Sequence, residues 1–142
     1  MSLNILIVDD SPVMRGMIAR TLRLSGLPLG TLYEAGDGRA GAESAQSNWV
    51  DLVLTDLNMP GMDGEAMIVA LRAREATAAL PVVVVSSDAS TSRRERMAAH
   101  GVAFVQKPFT PEQLRTVVLT TLQLTDAEFT GRGAAALDSC DF

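Results

Sequence analysis

The sequence predicts an α/β fold in which a doubly wound, five-stranded parallel sheet carries helices on both faces. Five short apolar runs are separated by stretches with helical periodicity. The runs span residues 5–8, 31–35, 52–54, 82–85 and 102–105. Such runs are typical of buried strands. Each connection between parallel strands needs a covering, right-handed crossover helix, so the alternation of strands and helices favours a parallel sheet.

The helices between the strands have recognisable starts. Ser11-Pro12 and Thr110-Pro111 place a capping residue before a proline at the first helical position. Gln113 completes a capping box with Thr110, and Ser92 with Glu95 predicts another. The helices are expected to end near residues 26, 48, 75, 100 and 124.

Composition indicates one soluble domain. The 142 residues suffice for a single core, and 47% of them are hydrophobic. A net charge of −5 gives no general attraction to nucleic acid, so direct DNA binding is not expected. The only thiol, Cys140, allows no internal disulfide. With no basic leader and no apolar run of ~18–20 residues, a cytoplasmic protein without membrane insertion is predicted.

Residues 1–124 are predicted to form this domain, and residues 125–142 a flexible C-terminal tail. The tail is rich in Thr, Asp, Gly and Ala, and its large apolar residues are Phe129, Leu137 and Phe142. That composition favours mobility over packing. A tail that docks on a partner is the alternative.

Polar side chains follow four of the five predicted strands. Asp9 and Asp10 follow the first, Asp56 the third, Ser86 the fourth and Lys107 the fifth. Alone, each has an ordinary explanation as a helix cap, a turn residue or a surface charge. Sites in parallel sheets collect at the carboxyl ends of strands, so these residues are expected to share one edge.

Three gathered carboxylates repel one another unless their pKa values rise or a cation binds. Oxygen ligands without histidine or thiolate favour a hard ion, and Mg²⁺ fits best. Such a site suits phosphoryl transfer, with Asp56 as nucleophile, Asp9 and Asp10 on the ion and Lys107 on the phosphoryl oxygens. The hydroxyl of Ser86 then donates to the same group.

Other polar and sulfur-containing residues are assigned structural roles. His100 is expected to stabilise a helix end, and Asp63 to cap the helix after the third strand. Met14, Met17 and Met67 are assigned to the core.

Together these motifs resemble the receiver domains of two-component response regulators, and among them the stand-alone chemotaxis type. The segments are Ile-Val-Asp9-Asp10, Thr-Asp56-Leu-Asn-Met-Pro-Gly-Met-Asp-Gly64, a strand ending at Ser86, and Lys107-Pro108-Phe109. The likeness covers residues 3–124. It implies a flavodoxin-like fold with strand order 2-1-3-4-5.

The resemblance also implies a function in signal transduction rather than turnover of an external substrate. Asp56 would accept a phosphoryl group from a histidine kinase or phosphotransfer protein in a phosphorelay. Asp9, Asp10, Asp56 and the backbone carbonyl of Asn58 would bind Mg²⁺, and Lys107 would contact the phosphoryl group. A downstream output protein would be the second partner.

By the same resemblance, Ser86 and Phe104 form a switch. Movement of the hydroxyl toward the phosphoryl group vacates space for the ring, which changes the face made by the fourth helix, fifth strand and fifth helix. The arginines expected on or near that face are Arg93, Arg94, Arg96 and Arg115.

The chain departs from the family pattern in two places. Ser86 replaces the commoner Thr, and Ser87 stands where a smaller residue is usual. Phe104 lacks the hydroxyl of a tyrosine and cannot hydrogen-bond a partner. Asn58 and Asp88 flank the acceptor at positions that in this family influence the lifetime of the phosphoryl group.

Two other functions remain as alternatives. A phosphatase or phosphotransferase of the haloacid-dehalogenase type also forms an aspartyl phosphate with Mg²⁺, but its nucleophile follows strand one in an Asp-x-Asp motif, where this chain has Asp9-Asp10-Ser11. A receiver-shaped interaction domain that is never phosphorylated is the other. A nucleotide switch is disfavoured because no Gly-x-x-x-x-Gly-Lys-Ser/Thr loop occurs.

Overall fold

Strands and helices alternate five times along the chain, as the sequence predicts. The computed structural model describes residues 2–57, 59, 61–86 and 91–123, and for 91–93 the backbone only. The elements are β1 (Leu3–Val8), α1 (Pro12–Leu24), β2 (Leu29–Ala35), α2 (Gly38–Ser47), β3 (Leu52–Thr55), α3 (Gly64–Ala73), β4 (Val82–Ser86), α4 (Thr91–Ala98), β5 (Ala103–Gln106) and α5 (Pro111–Thr121).

The five strands form one parallel sheet in the order β2-β1-β3-β4-β5. This confirms the predicted doubly wound, flavodoxin-like topology. Every residue of β3 and β4 is buried, as continuous apolar runs predict. The strand order reverses between β1 and β3, and the carboxyl ends of these two strands therefore flank the crevice in which doubly wound sheets bind ligands.

Successive strand residues face opposite layers of the core. On one side, Leu6 and Val84 pack with side chains from α2, α3 and α4. On the other, Ile7 and Val85 pack with α1 and α5. This alternation follows from the two-residue period of a strand and places helices on both faces of the sheet.

The helix starts at the carboxyl edge of the sheet are capped largely as predicted. The hydroxyl of Ser11 accepts a backbone N–H of the first turn of α1 at 3.1 Å, and the carboxylate of Asp63 does the same for α3 at 2.8 Å. Thr110 and Gln113 exchange both bonds of a capping box, at 2.8 and 3.1 Å. The prediction for Ser92 is wrong, because α4 begins at Thr91 and Ser92 lies inside its first turn.

Some boundaries differ from those predicted. β2 begins two residues earlier because Leu29 pairs with Leu3 of β1. It is an edge strand in which only Ala35 is fully buried, so its start lacks an apolar signal. α3 ends at Ala73 because the next residue, Arg74, has extended backbone angles of φ −107° and ψ 132°.

The assignment of methionines to the core holds for Met67 and fails for Met17. Met67 is fully buried, whereas Met17 is 56% exposed. Ile18 and Leu22 occupy the inward face of α1, which directs Met17 outward with Val13 and Leu24. Within the described ranges, no helix is long and apolar enough to span a membrane.

Candidate metal centre and phosphoacceptor site

Three carboxylates converge at the carboxyl edge of the sheet. β1 and β3 are neighbours, with Val8 opposite Thr55, so the residues that follow them emerge side by side. Carboxylate oxygens of Asp9, Asp10 and Asp56 all lie within 4.8 Å of one another. The structure therefore brings together the acidic trio that the sequence predicts for this edge.

Asp9 is the most buried of the three, with 2% of its surface exposed. Its Oδ1 accepts the backbone N–H of Ser11 at 2.9 Å, whereas its buried Oδ2 has no hydrogen-bond partner among the described residues. Burial raises the pKa of Asp9 above its usual value, and the negative charges of Asp56 and Asp10 add to the increase. The Ser11 N–H and the Lys107 ammonium oppose it. A cation bound beside Asp9 would therefore stabilise the ionised form of its carboxylate.

Lys107 reaches this edge from the end of β5. Its Nζ lies 3.7 Å from Asp9 Oδ2 and 3.6 Å from Asp56 Oδ2. Its backbone N–H donates to the carbonyl of Ser86 at 3.0 Å, which joins the ends of β4 and β5. Ser86 is the buried last residue of β4. Both residues thus stand at the edge where the sequence places them.

Asp56 is held by its own backbone surroundings. Its N–H donates to the carbonyl of Val8 at 3.1 Å, and its Oδ1 accepts the N–H of Leu57 at 2.7 Å. The other oxygen, Oδ2, faces Lys107, and the side chain is 15% exposed. The carboxylate is therefore oriented, close to a cation and reachable from solvent.

Sequence reasoning missed two residues that shape the site. The guanidinium of Arg15 donates to the backbone carbonyl of Asp9 at 2.6 Å and to Glu34 at 2.9 Å, which ties the acidic loop to α1 and β2. Gly64 lies so close to Asp56 and Leu57 that a methyl group in its place would overlap their backbone. Two features of the sequence could have indicated them: Arg15 is a cation one turn into α1, and Gly64 is a glycine at the start of α3.

The donor set fits a magnesium ion. It consists of carboxylates, which hard divalent cations prefer, and it contains no histidine or thiolate. The buried Oδ2 of Asp9 supplies an acceptor that a cation would satisfy. The carbonyl of Asn58, predicted as a further ligand, lies outside the described residues.

Comparison with known proteins identifies the family. Residues 5–119 match the response regulator receiver domain. The chain belongs to the response regulator receiver family. The receiver is similar to the chemotaxis protein CheY of Pseudomonas aeruginosa, with 39% identity over 114 residues that cover 80% of this chain and 90% of that protein. It is also similar to CheY-3 of Vibrio cholerae, with 35% identity over 115 residues covering 80% and 87%.

Solved structures agree with this assignment. The structure of CheY4 from Vibrio cholerae superposes on the receiver with a TM-score of 0.76 and 29% identity, and the match covers 85% of this chain and 99% of that one. The predicted resemblance to CheY-like response regulators is thereby confirmed. Receivers are signalling domains, and the grouped acids of this one fit the magnesium site of the family.

The receiver also brings together the two residues assigned to a switch. Ser86 and Phe104 line the same small gap, of about 10 Å³, at the carboxyl end of β4 and β5. Phe104 itself is half-buried. Outside it, an open groove of about 770 Å³ runs between β5 and α5. The groove is lined by Phe104, Val105, Gln106, Lys107, Pro108, Glu112, Gln113, Thr116, Val117 and Thr120.

The arginines expected near this face take different positions. The guanidinium of Arg94 stacks over the ring of Phe104, and Arg96 makes a two-bond ion pair with Glu65 of α3 at 3.0 Å for each bond. Arg115 was predicted near the face, but its Nη1 donates to the carbonyl of Ser25 at 3.2 Å, on the α1 side of α5. The Arg93 side chain and residues 87 and 88 lie outside the described part.

Proposed function

We propose that this receiver is a single-domain response regulator that accepts a phosphoryl group on Asp56 and passes the signal on by binding an output protein. One observation carries the proposal: an oriented carboxylate, Asp56, lies 3.6 Å from the ammonium of Lys107 and within 4.8 Å of two further acids. The family membership supports the same function.

The donor in this proposal is a phosphohistidine of a histidine kinase or phosphotransfer protein. A carboxylate oxygen of Asp56 attacks phosphorus, the phosphorus–nitrogen bond breaks, and its electron pair goes to the departing imidazole. Lys107 neutralises charge on the phosphoryl oxygens, and the hydroxyl of Ser86 donates a hydrogen bond to one of them. The product is an acyl phosphate on the protein.

The proposed metal ligands are Asp9, Asp10 and Asp56, with the backbone carbonyl of Asn58 as a further donor. A bound Mg²⁺ neutralises the negative charge that gathers around the transferred group. Ser11 N–H and Arg15 keep the acidic loop in place by holding Asp9 at its carboxylate and at its carbonyl. The buried Oδ2 of Asp9, which accepts no hydrogen bond among the described residues, supports this assignment.

Phosphorylation is proposed to act through Ser86 and Phe104 on the face formed by α4, β5 and α5. The shared gap between the two residues and the adjoining groove support that location. The names of the relatives favour a chemotaxis output. Cytoplasmic residence, a domain over residues 1–124 and a flexible tail stay predictions. Residues 124–142 lie outside the described part of the chain.

The rival phosphatase function is disfavoured by the sequence and by the family match. Its Asp-x-Asp nucleophile motif is missing from the end of β1, and the match to the receiver family extends over most of the chain. The receiver catalyses, in this proposal, only its own phosphorylation and dephosphorylation. The other alternative, a receiver-shaped domain that is never phosphorylated, is distinguished from the proposal by the mass measurement described next.

The test is intact-mass measurement after incubation with Mg²⁺ and a small acyl phosphate or phosphoramidate. Wild-type protein is expected to gain one phosphoryl group that is released by base, and Asp56→Asn is expected to gain none. Asp63→Asn is the matched control, because it removes a carboxylate from the same loop while asparagine still caps α3. A wild-type protein without mass gain, or a labelled Asp56→Asn protein, would refute the proposal.

A further inference from the structure

An arginine on α4 contacts the aromatic ring of the proposed switch. The guanidinium carbon of Arg94 lies 5.0 Å from the centroid of the Phe104 ring, inside the range of a cation–π interaction. Arg94 is exposed and Phe104 is half-buried, so the contact lies at the surface between α4 and β5. None of the roles proposed above for the acidic site uses this arginine.

Arg94 also lines the gap toward which the ring would move. The gap is bounded by Ser86, Arg94, Phe104, Val105 and Gln106 and has a volume of about 10 Å³. That volume is about the space of a single water-sized probe, far less than a phenyl ring needs. The ring therefore cannot approach Ser86 unless the residues around the gap shift, and Arg94 is one of them.

We infer that Arg94 is a positioning residue that holds the Phe104 ring against its guanidinium in the unphosphorylated receiver and so sets the resting balance of the switch. Phe104 has no hydroxyl, so the ring has no hydrogen bond of its own to hold it in that position. The guanidinium over its face supplies a specific attraction instead. The inference rests on the proposed switch and assigns it a residue that acts through the ring.

The size of the effect follows from the exposure of the contact. A cation–π pair at an exposed site shifts an equilibrium about two- to fivefold. Removing Arg94 should therefore raise, by about that factor, the ratio of the inward state, with the ring moved toward Ser86, to the state with the ring against Arg94. Any ligand that binds the inward state should bind more tightly by the same factor, because the competent state is more populated.

The experiment uses para-fluorophenylalanine and fluorine NMR on the full chain, with Phe104→Leu to assign the ring resonance. Beryllofluoride with Mg²⁺ serves as a stable mimic of the phosphoryl group. In wild type, the Phe104 signal is expected to move on titration. In Arg94→Gln, the starting signal should already be displaced toward the bound position, and beryllofluoride should bind about two- to fivefold more tightly.

Two controls separate the ring contact from general effects. In a Phe104→Leu background, Arg94→Gln should leave beryllofluoride affinity unchanged, because the ring through which it acts is gone. Arg96→Gln removes the same charge from the same helix, together with its ion pair to Glu65, but leaves the contact with Phe104 in place. An equal shift in the Arg96 and Arg94 variants would overturn the inference, since both would then report lost charge.

The failures of the switch and of the inference are distinguishable. If wild-type protein binds beryllofluoride while the Phe104 signal stays still, the proposed switch is refuted, and the role of Arg94 with it. If the wild-type signal moves but Arg94→Gln starts from the wild-type position with wild-type affinity, only the role of Arg94 is refuted.

Discussion

Replacing Gly64 by alanine is expected to displace Asp56, the proposed phosphoryl acceptor, without unfolding the protein. Gly64 is the first residue of α3, and its N–H donates to the carbonyl of Leu57 at 3.0 Å. An added methyl group would overlap the carbonyl oxygen of Asp56 and lie 2.9 Å from Leu57 Cα. Carbon atoms in contact stay about 3.5–4.0 Å apart, so the loop and the helix must separate by about 0.5–1 Å at Leu57 Cα and by more at the overlapped oxygen of Asp56.

That displacement has two expected magnitudes. Overpacking of this kind costs about 1–3 kcal/mol in the free energy of unfolding, of which alanine recovers up to about 1 kcal/mol through its higher helix propensity. The net loss should lie between about 0 and 3 kcal/mol, toward the upper end because the overlapped atoms belong to the backbone. Because Asp56 moves with the loop, its phosphorylation rate should fall by up to about 100-fold, the typical cost of a misplaced reacting group.

The assay is the initial rate of phosphoryl incorporation by intact mass, alongside chemical denaturation for stability. Gly16→Ala is the matched control: it lies within α1, and nothing comes within 4 Å of an added Cβ. It should stabilise the protein by about 0.5–1 kcal/mol and leave the rate unchanged. A folded Gly64→Ala protein that is phosphorylated at the wild-type rate would refute the reasoning about close approach.

Two further predictions concern the acidic loop. The raised pKa of Asp9 means that the metal-free folded protein holds its proton more tightly than the unfolded chain, so this contribution to stability is lost as pH rises through the folded pKa. Mg²⁺ needs the deprotonated carboxylate, so the stabilisation by Mg²⁺ in thermal denaturation should be larger near about pH 7 than near about pH 5; equal stabilisation at both would contradict it. Arg15→Lys keeps the charge but loses the fork that holds the Asp9 carbonyl and Glu34, and should weaken Mg²⁺ binding by about tenfold in calorimetry. Unchanged affinity would show that Arg15 does not position the loop.

The location of the site was predictable because strand ends obey simple rules. A buried parallel strand is marked by a continuous apolar run, and the residue that follows it must emerge at the carboxyl edge. Asp9, Asp56 and Lys107 are therefore placed by the runs before them, whatever the details of packing. The close approach of Asp9 and Asp56 follows once β1 and β3 are neighbours, whereas Lys107 reaches them from β5, two strands away from β3.

The remaining features depend on distances that no local pattern encodes. Met17 and Ile18 are adjacent in the sequence, and only the orientation of α1 decides which of them is buried. Arg115 points toward Ser25 because α5 packs beside α1, a contact between residues far apart in the chain. The start of α4 was misplaced because a serine followed by a glutamate three residues later is a common pair, and here both lie within the helix.

The two oxygens of Asp56 are unequal before any reaction takes place. Oδ1 is tied to the N–H of Leu57, whereas Oδ2 looks toward the ammonium of Lys107. If the latter oxygen carries the phosphoryl group, the former becomes an acyl carbonyl polarised by a backbone amide, much as an oxyanion hole polarises an ester. The geometry that orients Asp56 for attack would then also keep the acyl carbon of the product electrophilic. The same backbone amide would therefore favour hydrolysis of the acyl phosphate and limit the lifetime of the signal.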